Sequence, residues 1–300
     1  MTIPLALVAG FLGAGKTTFL TRYAQRIAPR RVAFVVNEFS ETDVDTPLLA
    51  QASDEVVGIS GGSIFCRCKV TDFIRELGAL SGRIAGMDGV VVEASGMADP
   101  SAVQSMLDES GLSTSYRFTG TITLVDPGTL AQVLDTLPAA ERQVAAADVV
   151  VVSKCDLHDE ARLTATETLV RSIAPRARLV RASHGEIDLD PLALANPAWV
   201  DGAVAPCVDP AFTPLSLPCP PGTDASRLAA ALAELGPDLL RAKGFVPAPE
   251  GWYFLDWSAG RMQLLRCKPG PPGLALIVRP AAAAKAAMIV KRVANGEFAA

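Results

Sequence analysis

Gly10-Phe11-Leu12-Gly13-Ala14-Gly15-Lys16-Thr17 joins small residues, a lysine and a hydroxyl in the order that cradles phosphate, G-x-x-x-x-G-K-[ST]. Glycines let the backbone curl until several N–H groups converge on one anion. Gly13, Ala14 and Gly15 would supply those amides, Lys16 a point charge for the β and γ phosphates, and Thr17 a hydroxyl for Mg²⁺. A helix starting near Thr17 and Thr18 would add the positive end of its dipole. The flanks suit this pattern: an apolar run at 3–9 precedes it, and Thr18-Phe19-Leu20-Thr21-Arg22-Tyr23-Ala24 follows with helical apolar spacing. The expected ligand is a nucleoside triphosphate.

Three further segments suit the same ligand. Gly89-Val90-Val91-Val92-Glu93-Ala94-Ser95-Gly96 reads as a buried strand ending in a carboxylate, with a glycine three residues on. Glu93 would then sit at the crevice beyond the strand ends and hold Mg²⁺, and the Gly96 N–H would meet the γ-phosphate. Val149-Val150-Val151-Val152-Ser153-Lys154-Cys155-Asp156 ends in [N/S]-K-x-D. Asp156 can accept hydrogen bonds from guanine N1 and N2, which adenine does not offer, and the Lys154 stem would lie along the base and the phosphate loop. Ser153 stands where guanine readers more often carry asparagine. The acidic loop opened by Val36-Asn37-Glu38 is placed to flank the γ-phosphate, with Glu38 as a catalytic candidate beside Lys16 and Glu93.

These residues need a scaffold, and residues 1–196 alternate apolar runs (5–9, 32–36, 89–92, 121–125, 149–152) with helical segments (70–80, 100–108, 159–173). Runs without polar alternation are strands covered on both faces, so the fold class is α/β, a doubly wound, mostly parallel sheet. A proline-rich stretch over 197–222 reads as a linker with an edge strand near 211–217. Residues 223–300 read as a small α+β domain. It has a helix capped by Asp224 that runs through Leu228, Leu232, Leu235 and Leu239-Leu240, strands at 252–256, 262–266 and 274–278, and an alanine-rich helix over 281–294.

Composition narrows the function classes. The chain has 300 residues, half of them hydrophobic, enough for a substantial core. A net charge of -5 with scattered basic residues lacks the electrostatic footprint of a nucleic-acid binder. No apolar run approaches the ~20 residues that span a bilayer, and the N-terminus has no basic leader, so neither membrane nor export is expected. Six cysteines outside a secretory context point to reduced thiols and a cytoplasmic location, and two histidines (His158, His184) restrict any imidazole metal site.

In sum, the chain resembles the CobW-type P-loop GTPases, the group related to urease and hydrogenase maturation GTPases. The resemblance rests on Gly10-Phe11-Leu12-Gly13-Ala14-Gly15-Lys16-Thr17-Thr18, Val36-Asn37-Glu38-Phe39 and Glu93-Ala94-Ser95-Gly96-Met97-Ala98-Asp99-Pro100. Val125-Asp126, Ala147-Asp148-Val149 and Ser153-Lys154-Cys155-Asp156 extend it, and Ala242-Lys243-Gly244-Phe245 with Trp252 carries it into the C-terminal part. The resemblance implies a GTP-hydrolysing switch that delivers zinc, cobalt or a corrinoid to a client metalloenzyme or corrinoid protein, with a second copy of the chain as a further candidate partner.

The family's Cys-x-Cys-Cys motif is altered in this chain. Ser63 and Phe65 occupy its first two cysteine positions, Cys66 matches the third, and Cys68 is an extra thiol. Cys66 and Cys68 are therefore the candidate ligands for Zn²⁺ or Co²⁺, two where a closed zinc site takes four, so further donors must come from a residue such as Glu41 or from a partner. Cys155, Cys207, Cys219 and Cys267 lack ligand spacing and read as packing residues. A GTP-gated module that holds a corrinoid or redox client without free metal is the alternative, and an ATP-dependent kinase is a third reading.

Overall fold

The computed structural model describes residues 2–38, 46, 49–50, 52–53, 55–60, 63–65, 69–82, 86–96, 98–194, 213–258 and 260–299. They fall into two compact units, one built on a seven-stranded sheet and the other on a five-stranded sheet.

In the first unit the strands are β1 (Ile3–Gly10), β2 (Val32–Glu38), β3 (Val56–Ser60), β4 (Gly89–Glu93), β5 (Tyr116–Val125), β6 (Val149–Val152) and β7 (Arg178–Arg181). Their order is β3-β2-β4-β1-β5-β6-β7, and the pairings β2–β4, β4–β1, β1–β5, β5–β6 and β6–β7 are all parallel. Helices α1 (Lys16–Arg26), α2 (Val70–Ser81), α3 (Val103–Glu109), α4 (Leu130–Thr136), α5 (Pro138–Ala145) and α6 (Glu160–Ile173) make the crossovers. Successive residues of one strand feed opposite cores: Leu5, Leu7 and Ala9 pack with Val90, Val92 and α2, while Ala6 and Val8 pack with Val91, Ile122, Leu124 and α1. This is the doubly wound α/β sheet expected from unbroken apolar runs.

Beyond β7 the chain runs back along α1 and is strapped to it. Tyr23 donates to Asp190 Oδ1 at 2.7 Å, Arg26 Nη2 donates to the Leu189 carbonyl at 2.7 Å, and Arg30 pairs with Asp190 at 2.6 Å. Asp190 then caps the short turn Pro191–Ala193, whose Pro191 carbonyl accepts from Thr119 at 3.0 Å. Leu192 lies against Gly89, where a Cβ would come within 2.8 Å of its Cδ2.

The second unit contains β8 (Thr213–Leu217), α7 (Ala225–Ala233), β9 (Leu239–Ala248), β10 (Gly251–Ser258), β11 (Arg261–Arg266), β12 (Gly273–Val278) and α8 (Ala283–Ala294). Its order, β11-β10-β9-β12-β8, is antiparallel throughout, with β8 on an edge and both helices packed on one face. The helix does not run through Leu239-Leu240 as the sequence leads one to expect. The helix stops at Ala233, Gly236-Pro237-Asp238 forms a tight 3-10 turn, and Leu239 starts the central strand. Proline at 237 has no N–H to continue the helical ladder, and the apolar spacing that suggested a helix is shared by the inward residues of β9. No helix among the described residues is long and apolar enough to cross a membrane.

Gly244, in β9, has φ +155°, and a Cβ there would sit 2.8 Å from Leu274 Cα and collide with the Gly273 carbonyl oxygen. Gly244→Ala is expected to destabilise the second unit by about 1–3 kcal/mol, because an L residue strains at this φ and the strands must part. Chemical denaturation followed through Trp252 and Trp257 fluorescence checks it, and an unchanged midpoint refutes it.

Candidate functional site

β1 ends because Gly10 turns to φ +138°, a position where any Cβ would strike the Leu124 carbonyl of β5. Gly13 and Gly15 follow at φ +77° and +99°, so the loop curls in backbone conformations that side-chain-bearing residues rarely adopt. Gly15 is the N-cap of α1 and brings no capping side chain. Lys16, in the first turn, bends back over the loop, and its Nζ donates to the Gly10 carbonyl at 2.9 Å. Thr17 Oγ1 lies 3.4 Å from Glu93 Oε1, and Thr18 is exposed beside it. The loop, the ammonium and two hard oxygen donors thus meet at the carboxyl edge of the sheet.

Glu93 is the last residue of β4 and only 2% exposed. Backbone pairing continues past it, since Ala94 N–H donates to the Val8 carbonyl at 2.9 Å. Gly96 follows in a turn packed on the phosphate loop, where a Cβ would sit 2.9 Å from Leu12 N. Thr17 hydroxyl and Glu93 carboxylate are the oxygen chemistry Mg²⁺ takes, so these residues fit that ion. The Glu38 backbone ends β2, but its side chain lies outside the described residues, as do Glu41, Cys66, Cys68 and Cys207. Among the described residues no group of three His, Cys, Asp or Glu side chains could hold a metal ion.

At the neighbouring strand ends the guanine-reading candidates follow β6. Ser153 is buried, and its hydroxyl donates to the Val125 carbonyl at 3.0 Å, so it knits β6 to β5. Lys154 takes the left-handed backbone, φ +54°, and its ammonium lies 2.8 Å from Asp126 Oδ2. The Lys154 charge is thereby committed to the carboxylate that follows β5. Asp126 also accepts from Gly128 N–H at 2.8 Å and faces His158 Nε2 at 3.2 Å. Burial pushes the Asp126 carboxyl up, but the Lys154 charge and the converging hydrogen bonds outweigh it and hold the group below the usual carboxylate range. Asp156 stays partly exposed, 3.6 Å from His184. Of the described cysteines, Cys155, Cys219 and Cys267 are free thiols, and burial pushes Cys219 up to about 12.

Three residues without an assigned role from the sequence also join this edge. Buried Asn37 donates to the Ile59 carbonyl at 3.1 Å and accepts from Ile64 N–H at 3.0 Å and Ser95 N–H at 3.3 Å, binding β2, β3 and the turn after β4. Gln143 reaches the Gly96 turn from α5. Asp126 belongs to the Val125-Asp126 pair of the resemblance, and a carboxylate closing an apolar run is the same signal that singles out Glu93.

Residues 4–181 match the family described as CobW/HypB/UreG, nucleotide-binding domain. "Zinc chaperone YjiA" of Escherichia coli (strain K12) is 33% identical over 192 residues, which cover 62% of this chain and 59% of the relative. "Zinc chaperone CobW" of a Sinorhizobium species is 28% identical over 214 residues, covering 62% of this chain and 60% of the relative. The chain therefore spans less than two thirds of the length of these relatives. The crystal structure of Zn(II)-bound YjiA GTPase from E. coli superposes with TM-score 0.51 and 22% identity, covering 98% of this chain and 99% of the other, which supports the shared fold alone.

Because the folded Asp126 carboxyl titrates below its ordinary 3.8, the stability it contributes is in full force above about pH 4. That contribution is lost as the pH falls through the lowered folded value. Asp126→Asn should remove about 2 kcal/mol at neutral pH and flatten the acid limb of the stability curve, since a charge-assisted bond becomes a neutral one. Urea denaturation from pH 7 in steps down to about pH 2 tests this, and stability curves that stay parallel for both proteins down to that pH would contradict it.

Proposed function

The chain belongs to the CobW/HypB/UreG family, and on that footing we propose that it binds and hydrolyses GTP with Mg²⁺ and uses the cycle to deliver a metal ion, zinc foremost, to a client protein. The observation that carries this reading is the meeting of the glycine loop, Lys16, Thr17 and Glu93 at one strand edge, with Asp156 beyond β6, two strands over from β1.

In this reading the amides of residues 13–18 and the Lys16 ammonium bind the β and γ phosphates. Lys16 leaves the Gly10 carbonyl to do so. Thr17 and Glu93 would hold Mg²⁺, which when bound screens the charge on the phosphate oxygens. Gly96 offers its N–H to the γ-phosphate. Asp156 accepts from guanine N1 and N2, with Lys154 held alongside by Asp126 and Ser153 fixing the strand end beneath. Glu38 is assigned to the side where water attacks.

Zinc as the cargo is supported by the names of the relatives, two of them zinc chaperones and a third, from Schizosaccharomyces pombe, a "Zinc-regulated GTPase metalloprotein activator 1". Cys66 and Cys68 would be the thiolate donors. The second reading, a GTP-gated module for a corrinoid or redox client, draws on one observation. Ser63 and Phe65, which replace two motif cysteines, are buried, and Phe65 packs edge-on against Phe73 in the core, 6.0 Å between ring centres.

Lys16→Ala should lower GTP turnover by about 10²-fold or more, since a preorganised charge facing the phosphates is lost. Asp156→Asn should weaken GTP while improving XTP, whose 2-oxo group accepts the new amide donor. Titration of Zn²⁺ into the GTP-bound protein separates the two readings of cargo. Tight binding lost in Cys66→Ser and Cys68→Ser supports delivery of the ion, and binding indifferent to both thiols supports the module. Wild-type turnover in Lys16→Ala would overturn the GTPase reading.

A further inference from the structure

Gln143 is a long polar side chain only 1% exposed, and its amide is committed to one place. Nε2 donates to the Gly96 carbonyl at 3.2 Å and to the Ala98 carbonyl at 2.8 Å. Those carbonyls belong to the turn that follows β4, closed by Ala98 N–H donating to the Ser95 carbonyl at 2.9 Å. The neighbouring Arg142 pairs with Asp99 at the far end of the turn, and Asp99 also accepts from Ser101 N–H at 3.1 Å and Ser101 Oγ at 2.7 Å. On its other side the turn abuts Leu12 of the phosphate loop, and Gln143 lines one small cleft with Phe11 and Ala14 of that loop. Gly96, Ala98 and Asp99 are thus gripped between the phosphate loop and α5.

The chemistry of the grip is specific. A buried apolar side chain would fill the space without the desolvation penalty of an amide, whereas an uncharged amide brings two N–H donors that can hold two carbonyls at once. Holding the Gly96 and Ala98 carbonyls fixes the turn on both sides of its closing bond, Ala98 N–H to the Ser95 carbonyl, and that carbonyl shares its peptide unit with the Gly96 N–H. The support is itself rigid: Thr123 Oγ1 of β5 donates to the Gln143 carbonyl at 2.7 Å, and Asp148 at the foot of β6 accepts from Thr121 N–H at 2.7 Å. The same α5–β6 segment ends in Ser153, Lys154 and Asp156. One support therefore carries the turn beside the phosphate loop and the residues placed to read the base.

We infer that Gln143 is a positioning residue for GTP hydrolysis, one that holds the Gly96 turn so its N–H faces the γ-phosphate, with Arg142 securing the other end of the turn. This inference rests on the GTPase reading above. Its signature is selectivity for the γ-phosphate: GDP, which lacks that group, gains nothing from the turn.

The test compares the full chain with Gln143→Met, similar in length but without donors, and Arg142→Gln, whose half-exposed site tolerates exchange. Affinities for GDP and a non-hydrolysable GTP analogue are measured with kcat and KM for GTP. In Gln143→Met we expect GDP affinity within about twofold of wild type, with analogue affinity and kcat each down about tenfold, since one preorganised contact to the transferring group is loosened. Arg142→Gln should show the same pattern at about threefold. Parallel losses for GDP and the analogue, or unchanged kcat, overturn the inference; if Gln143→Met fails to fold, unchanged kcat in Arg142→Gln does so. A wild-type protein that neither binds nor hydrolyses GTP refutes the underlying reading instead, and is told apart by that control.

Discussion

β1, β4, β5 and β6 lie between two layers of apolar side chains, and their middle residues do not meet water. An ion in that interior would bear a desolvation penalty no local partner could offset. Charged groups can therefore stand only where these strands stop, and the parallel arrangement puts all the stops on one edge. Gly10, Glu93, Asp126 and Ser153 are those stops or the residues next to them. The site follows from where polarity is allowed.

Each group at that edge is held by another group of the same edge. Glu93 faces the Thr17 hydroxyl, Asp126 faces Lys154 and His158, and Asn37 satisfies three backbone groups from three segments. Removing one member of such a set leaves a buried partner unpaired, which is costlier than losing a pair in water. Arg181 illustrates the contrast. Its ion pairs with Glu160 and Glu167 lie on the solvent side, where screening leaves them little weight in stability. Net charge thus says little about this chain, and position says much.

How far the sequence discloses all this depends on burial. The runs Val90-Val91-Val92 and Val149-Val150-Val151-Val152 are legible because both faces are covered and every position is apolar. β7, Arg-Leu-Val-Arg on the sheet edge, is short and half-exposed, and nothing in its spacing marks it as a strand. β9 misleads for a different reason: its first residues continue an apolar helical spacing, and only Pro237 signals the break. Lys16, Thr17 and Glu93 could be assigned from local pattern because loop and strand place them. Gln143 could not, since its partners are carbonyls 45 and 47 residues away and a lone glutamine in a helix resembles any surface residue.

The strap along α1 bears on where the first unit can be cut. The family match ends at residue 181, yet Asp190 holds Tyr23 and Arg30 from α1 and its flank, and Leu192 fills the space left by Gly89 beneath β4. A shortened chain stopping at the last strand would unroof the outer length of α1 and leave an apolar hollow under the sheet. Homology therefore understates the folding unit: thirteen residues beyond the match, 182–194, complete the hydrophobic seal on which α1 rests. Any transplant of this nucleotide-binding module into another protein would have to carry that tail with it.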